Sequence, residues 1–225
     1  MSSTALNNSP DSIAQLMSRV ADIAGLTFGE LAQSLDVQVP KDFTRHKGWT
    51  GQLIERALGA SAGSKPEQDF PHLGVELKTL PLSHQNTPLE TTYVCYAPLT
   101  NINGITWDSS NVKNKLQCVL WVPVQGERDI PIANRIIGSG FIWTPNAAQN
   151  ASLEQDFNEL MDLIALGKVQ TIDARKGEFL QLRPKAANGR ALTEAIGENG
   201  KIIQTRPRGF YLRKHFTQSI LNQAF

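Results

Sequence analysis

Apolar residues recur along the first sixty positions at helical spacing. Ile13, Leu16, Met17, Val20 and Ile23 follow Ser9 and Pro10 and precede Gly25, so a cap, an N1 proline and a terminal glycine bound a helix over residues 10–24. Thr27 and Glu30 form a capping-box pattern for a short second helix through Leu31 and Leu35. Trp49, Leu53, Ile54, Ala57 and Leu58 predict a third, ended by Gly59. From Gly74 the period changes to two: Val75, Leu77 and Thr79 point one way, Glu76 and Lys78 the other, which is a strand.

A loop rich in Pro, Ser and Asn leads to TTYVCYA, and these two strands read as a hairpin with a long connection. Ser109 and Ser110 can cap a short helix carrying Val112, Lys113, Lys115 and Leu116, followed by the strand-like CVLWVPV and a run near RIIGSGFIW. The strands are expected to make a mixed sheet, with a helix of Leu153, Phe157, Leu160, Met161 and Ile164, closed by Gly167, packed on it. TIDAR and EFLQLRP then flank Lys176-Gly177, a helix is expected near LTEAIG, a strand at KIIQT, a turn at RPRGFY and a last helix bearing Phe216, Ile220 and Leu221. The class is α/β with mixed strands, and 225 residues at 40% hydrophobic content suit one large domain. No internal repeat or low-complexity linker interrupts it.

Composition narrows the setting. No apolar run approaches the roughly 20 residues of a membrane helix, and the first residues carry no basic-then-apolar leader pattern, so a cytoplasmic protein is expected. Cys95 and Cys118 lack metal-knuckle spacing and sit inside apolar runs, which reads as two buried thiols. Charge is unevenly spread. Residues 168–215 hold eleven Lys and Arg against four acids, a balance of +7, while residues 1–40 and 41–167 are each −3. A basic C-terminal third suits an anionic ligand gripped from one side.

Several motifs are decoys. Gly59-Ala60-Ser61-Ala62-Gly63 has the letters G-x-S-x-G but leaves a helix instead of a strand, and Gly63-Ser64-Lys65 lacks the adjacent Gly-Lys and the strand-to-helix setting of a phosphate loop. His46, His72, His84 and His215 are scattered without zinc spacing. What remains is Asp69, Glu76 and Lys78. Glu76 and Lys78 lie about 6.6 Å apart along one strand face, and Asp69 stands in the loop entering that strand. Oxygen-only ligands suit Mg²⁺, which keeps several waters and needs one or two carboxylates plus a substrate phosphate, so a phosphodiester is the natural substrate. Lys78 would position or deprotonate the attacking water and offset charge on the phosphorus oxygens. The bland alternative is a solvated strand face with Asp69 in a turn. Glu55, off the apolar stripe of the third helix, is a surface residue or an added ligand, and Lys115 at its helix end is equally ambiguous.

The stretches KGWTGQLIERALGASAGSKPEQDFPHLGVELKTLP, LETTYVCYAPLT, LQLRPKAANGRALTEAIG and PRGFYL closely resemble MutH, the strand-nicking endonuclease family of methyl-directed DNA mismatch repair. The resemblance runs along nearly the whole chain and is weakest in the first forty residues and around 144–155. It implies a restriction-endonuclease-like fold of the PD-(D/E)-x-K type with two lobes around a DNA cleft, formed as a single domain. The helical part would be about 1–60, the catalytic sheet about 69–143 and the basic DNA-reading part about 168–225. The implied activity is Mg²⁺-dependent nicking of the unmethylated strand at hemimethylated GATC sites by a monomer, activated by MutL with MutS upstream. Asp69 and Glu76 would be metal ligands, Lys78 the catalytic lysine, and Glu55 and Lys115 supporting active-site residues. Pro66 precedes Asp69 by three positions instead of one, a loose form of the motif. Arg183, Lys185 and Tyr211 fall on the family's base-contacting positions. Arg and Lys can bond guanine O6 and N7, and a tyrosine ring can crowd the adenine N6 where a methyl would sit. Each also has a plain alternative, phosphate contact or core packing. Tyr93 lies where the family has an aromatic, with packing and DNA roles both open. A restriction endonuclease cutting both strands of GATC, or a non-catalytic module that senses methylation, are the alternative functions.

Overall fold

The computed structural model describes residues 8–40, 48–63, 65–185 and 190–225; His46 and Ser64 lie outside them. Backbone contacts divide the chain into two compact units, one from the described residues up to Glu90 together with Gln117–Thr144, the other from Thr91–Leu116 and Pro145–Gln223.

In the first unit the three expected helices are present as α1 (Ile13–Ile23), α2 (Phe28–Ser34) and α3 (Trp49–Leu58). Ser12, not Ser9, caps α1 by accepting from the Gln15 amide at 3.2 Å. The Thr27–Glu30 capping box forms in full: the Glu30 carboxylate accepts the Thr27 amide at 2.8 Å, and the Thr27 hydroxyl accepts the Glu30 amide at 3.2 Å. Gly59 ends α3 in the left-handed conformation, φ 82°. The strands of this unit are β1 (Glu76–Leu82), β3 (Val119–Gln125) and β4 (Phe141–Trp143), ordered β1-β3-β4, with β1 parallel and β4 antiparallel to β3. Leu77, Leu120 and Val122 turn one sheet face into a core with Leu16, Phe28, Ile54 and Phe70. On β1 the opposite face carries Glu76 and Lys78, in register with Val119 and Trp121. Both of those β3 residues are fully buried, so β3 reads as a continuous apolar run, as a parallel strand covered on both faces does. Pro81 is tolerated in β1 because that strand is the sheet's edge.

The second unit contains β2 (Thr92–Tyr96), α4 (Asn111–Leu116), α5 (Ala147–Ala165), β5 (Leu180–Pro184), β6 (Thr193–Ile196), β7 (Ile202–Thr205), β8 (Arg208–Leu212) and α6 (Lys214–Ala224). Its main sheet is antiparallel, ordered β2-β8-β5, with β6 and β7 as a separate ribbon.

Four expectations are corrected. TTYVCYA does not pair with β1 as a hairpin; β2 pairs with β8, more than a hundred residues later. The helix carrying Leu153, Phe157, Leu160, Met161 and Ile164, α5, packs on β5, a strand of the second unit. LTEAIG forms strand β6, not a helix, because Ala195 and Ile203 pair across a two-strand ribbon and pairing overrides local propensity. RPRGFY is largely strand β8 and not a turn, since its alternation buries Phe210 and Leu212 between two partner strands. Of the two thiols, only Cys95 is buried. Cys118 is half-buried, and desolvation pushes its thiol pKa up.

Candidate functional site

The carboxylate–carboxylate–lysine cluster is assembled by local geometry. Phe70 and Val75 bridge to each other, with N···O distances of 2.9 and 3.2 Å, around a single 3-10 turn at Pro71–Leu73. Gly74 closes that turn at φ 67°, a conformation that favours glycine. The buried Gln68 amide donates to the Gly74 carbonyl at 3.0 Å, and the Asp69 carbonyl accepts the Ser61 amide at 3.0 Å. Asp69 is thereby held beside the strand it precedes. The Glu76 amide points across to β3, donating to Cys118 at 3.0 Å, so the next amide, Leu77, faces the sheet's outer edge. The Asp69 carboxylate accepts that amide at 2.8 Å. An orphan edge donor and the Asp69 carboxylate thus satisfy each other.

On the face beyond, the Lys78 ammonium donates to Glu76 Oε1. The side chains are 14% and 2% exposed, so the solvated-strand reading fails: this is an enclosed ion pair. Among the described residues no three His, Cys, Asp or Glu side chains gather into a metal nest. Asp69 and Glu76 offer carboxylate oxygens only, a donor chemistry that fits a hard divalent cation keeping water and taking substrate oxygens, and does not fit zinc. Glu55 sits half-buried on α3, which packs against β1. Lys115 belongs to the second unit, half-buried on α4.

The second unit gathers the other residues that the sequence singles out. Register along β2-β8-β5 puts Tyr93 opposite Tyr211 and Tyr211 opposite Gln181, then Tyr96 opposite Gly209 and Gly209 opposite Arg183. One face of this sheet is therefore aromatic and cationic. The Tyr93 and Tyr211 rings meet edge-on at 5.3 Å, Lys185 Nζ lies 4.3 Å from the Tyr93 centroid, and the Arg183 guanidinium lies 5.9 Å from that of Tyr211. Arg183 also donates to the Thr91 hydroxyl at 3.0 Å. Tyr93 is thus packed within this face, against Tyr211 and Lys185.

Not all of the basic block is available for a ligand. Arg208 donates to the carbonyls of Val169 and Ile172, and Arg213 to those of Ala174 and Lys176, so both brace the chain after α5. Burial pushes the Arg208 guanidinium pKa down. Asp156, an unremarkable acid in the sequence, is buried and accepts the amides of Glu178, Phe179 and Leu180 at 2.7–2.8 Å, fixing the start of β5. Sequence inspection missed Gln68, Asp156 and Tyr96. None of the three had a signal in the sequence, since a spacing of three from Tyr93 would put Tyr96 on the opposite face of a regular strand.

The decoys behave as decoys. The G-x-S-x-G letters leave α3 at its glycine cap, His72 Nε2 lies 2.6 Å from the Pro10 carbonyl oxygen, and the His215 ring packs on Phe179.

A mixed α/β scaffold thus holds an enclosed Glu76–Lys78 pair, with Asp69 bonded to the amide between them, in one unit and a cationic aromatic face in the other. Residues 58–156 match the profile of the family described as "DNA mismatch repair enzyme MutH". DNA mismatch repair protein MutH of Haemophilus influenzae is 59% identical over 213 residues, 95% of this chain and 96% of that protein. The Vibrio cholerae protein of the same name is 56% identical over 216 residues, 96% and 98% of the two chains, and the Serratia proteamaculans one 57% over 216, 96% and 95%. The chain belongs to the MutH family of DNA mismatch repair enzymes. Among the described residues no helix is long and apolar enough to cross a membrane.

Proposed function

We propose that this protein is a Mg²⁺-dependent endonuclease with a restriction-endonuclease-like fold that nicks the unmethylated strand at hemimethylated GATC sites. The observation that carries the chemistry is the enclosed Glu76–Lys78 pair with Asp69 pinned by the Leu77 amide. Burying a charge pair costs desolvation, and buried, charge-coupled groups of this kind cluster at functional sites. Asp69 and Glu76 would hold the cation, which supplies Lewis-acid polarisation of the phosphate and of its bound water. Lys78 orients the attacking water and offsets negative charge on the phosphoryl oxygens as the water oxygen bonds phosphorus and the bond to the leaving sugar oxygen breaks. Glu55 would support the same centre, and the resemblance gives Lys115 a supporting role.

The cationic aromatic face of the second unit supports recognition. Arg183 and Lys185 have the chemistry to donate to guanine O6 and N7, and the Tyr211 ring would occupy the space that an N6-methyl on adenine needs. MutL would act as the activator, downstream of MutS, and the chain as a cytoplasmic monomer. Replacing Asp69 with Ala tests the assignment: nicking is abolished while duplex binding is largely kept. Normal cutting by Asp69→Ala would refute it, and cutting of both strands by the parent would favour a restriction enzyme.

A further inference from the structure

We infer that Tyr96 is a further DNA-contacting residue, its ring and hydroxyl lying against the sugar–phosphate backbone beside the step read by Tyr211. The inference rests on the proposed function and extends its recognition face by one side chain. On a regular strand, residues three apart point to opposite faces. Here the register shifts between Tyr93 and Cys95, so that Val94 and Cys95 together oppose Phe210, and Tyr96 returns to the face of Tyr93. The two rings meet edge-on at 5.8 Å. Bulges of this kind re-aim a side chain where function asks for it.

Space has been left for the Tyr93 ring on which Tyr96 packs. Gly209 stands opposite Tyr96, and a Cβ there would come within 2.8 Å of the Tyr93 ring and 3.3 Å of Lys185 Cβ. Tyr93 is half-buried by its neighbours, but Tyr96 is 59% exposed. Core packing therefore does not account for it. Its surroundings on this face are Lys185 on Tyr93 and Arg183 on Tyr211, cations whose complement is a polyanion. Tyr96 ends β2, one of the sheet's two outer strands, whereas the candidate base-reading Tyr211 lies on the central β8 and Arg183 on the other outer strand, β5, with Lys185 just beyond it. A tyrosine at that margin suits the backbone, to which its hydroxyl can donate.

Titration of two labelled duplexes tests this, one with a single hemimethylated GATC and one of equal length without it, in the absence of divalent cation so that no cleavage intervenes. Tyr96→Ala weakens both by the same factor, about 5- to 10-fold, and Tyr96→Phe recovers most of the loss through its ring. Thermal unfolding of each variant separates this from packing. Affinity within twofold of the parent for Tyr96→Ala, or a loss confined to the GATC duplex, would overturn the backbone contact. So would a weakening matched by a lowered melting temperature that Tyr96→Phe does not restore. A parent that binds neither duplex would overturn the proposed function itself, a result visible in the same titration before any variant is compared.

Discussion

The two units carry their functional residues in opposite ways. In the first, Asp69, Glu76 and Lys78 span ten positions, and one tight turn plus one strand edge bring them together. In the second, the aromatic and cationic face draws on β2, β5 and β8, whose residues run from Thr92 to Leu212. A local cluster depends on few contacts and should fail through chemistry when one side chain is changed. A face built from distant strands depends on the fold and should fail by degrees, through specificity or stability.

Predictions that sharpen this contrast run from large to small. Lys78→Ala should lower the nicking rate by on the order of 10³-fold at saturating Mg²⁺ and DNA, measured by single-turnover kinetics. A loss below tenfold would remove Lys78 from the chemistry. In the second unit, Asp156→Ala leaves three amides at the start of β5 without their acceptor, and should destabilise the protein by about 3 kcal/mol or more in urea denaturation. Asp156→Asn should recover part of that. Tyr211→Ala should narrow the discrimination between hemimethylated and fully methylated sites by about 1–3 kcal/mol, read as the ratio of nicking rates. If the variant still rejects fully methylated sites as the parent does, Tyr211 does not read the methyl.

The smallest effect concerns α2. Hydrogen bonds from Thr27 lower the Glu30 carboxyl pKa in the folded protein. A depressed folded value means that the capping contribution is present above the unfolded carboxylate pKa and is lost as pH falls through the folded one. Glu30→Gln should therefore melt slightly below the parent at neutral pH, with the difference vanishing in acid below the carboxylate range. A difference that persists there would point to packing instead.

The same contrast explains what was legible in the sequence. The helices of the first unit and β1 follow from short-range periodicity and caps, and the pairing of Thr27 with Glu30 is realised bond for bond. The acid–acid–lysine cluster was visible because its spacing is local, although its burial was not: what encloses Glu76 includes the neighbouring β3 residues Val119 and Trp121, forty positions on. The β1-to-TTYVCYA hairpin failed because adjacency in sequence does not decide which sheet a strand joins. Tyr96 stayed hidden because a bulge reverses the strand's parity, which alternation alone cannot anticipate. Asp156 stayed hidden because its partners are backbone amides some twenty residues away.

The most direct test is a nicking assay on a duplex with one hemimethylated GATC site, each strand separately labelled, with and without Mg²⁺ and MutL. The account predicts a nick confined to the unmethylated strand, dependent on Mg²⁺ and enhanced by MutL. Binding of the duplex with no nick under any of these conditions would contradict it, leaving the enclosed Glu76–Lys78 pair as a structural feature of a DNA-binding module.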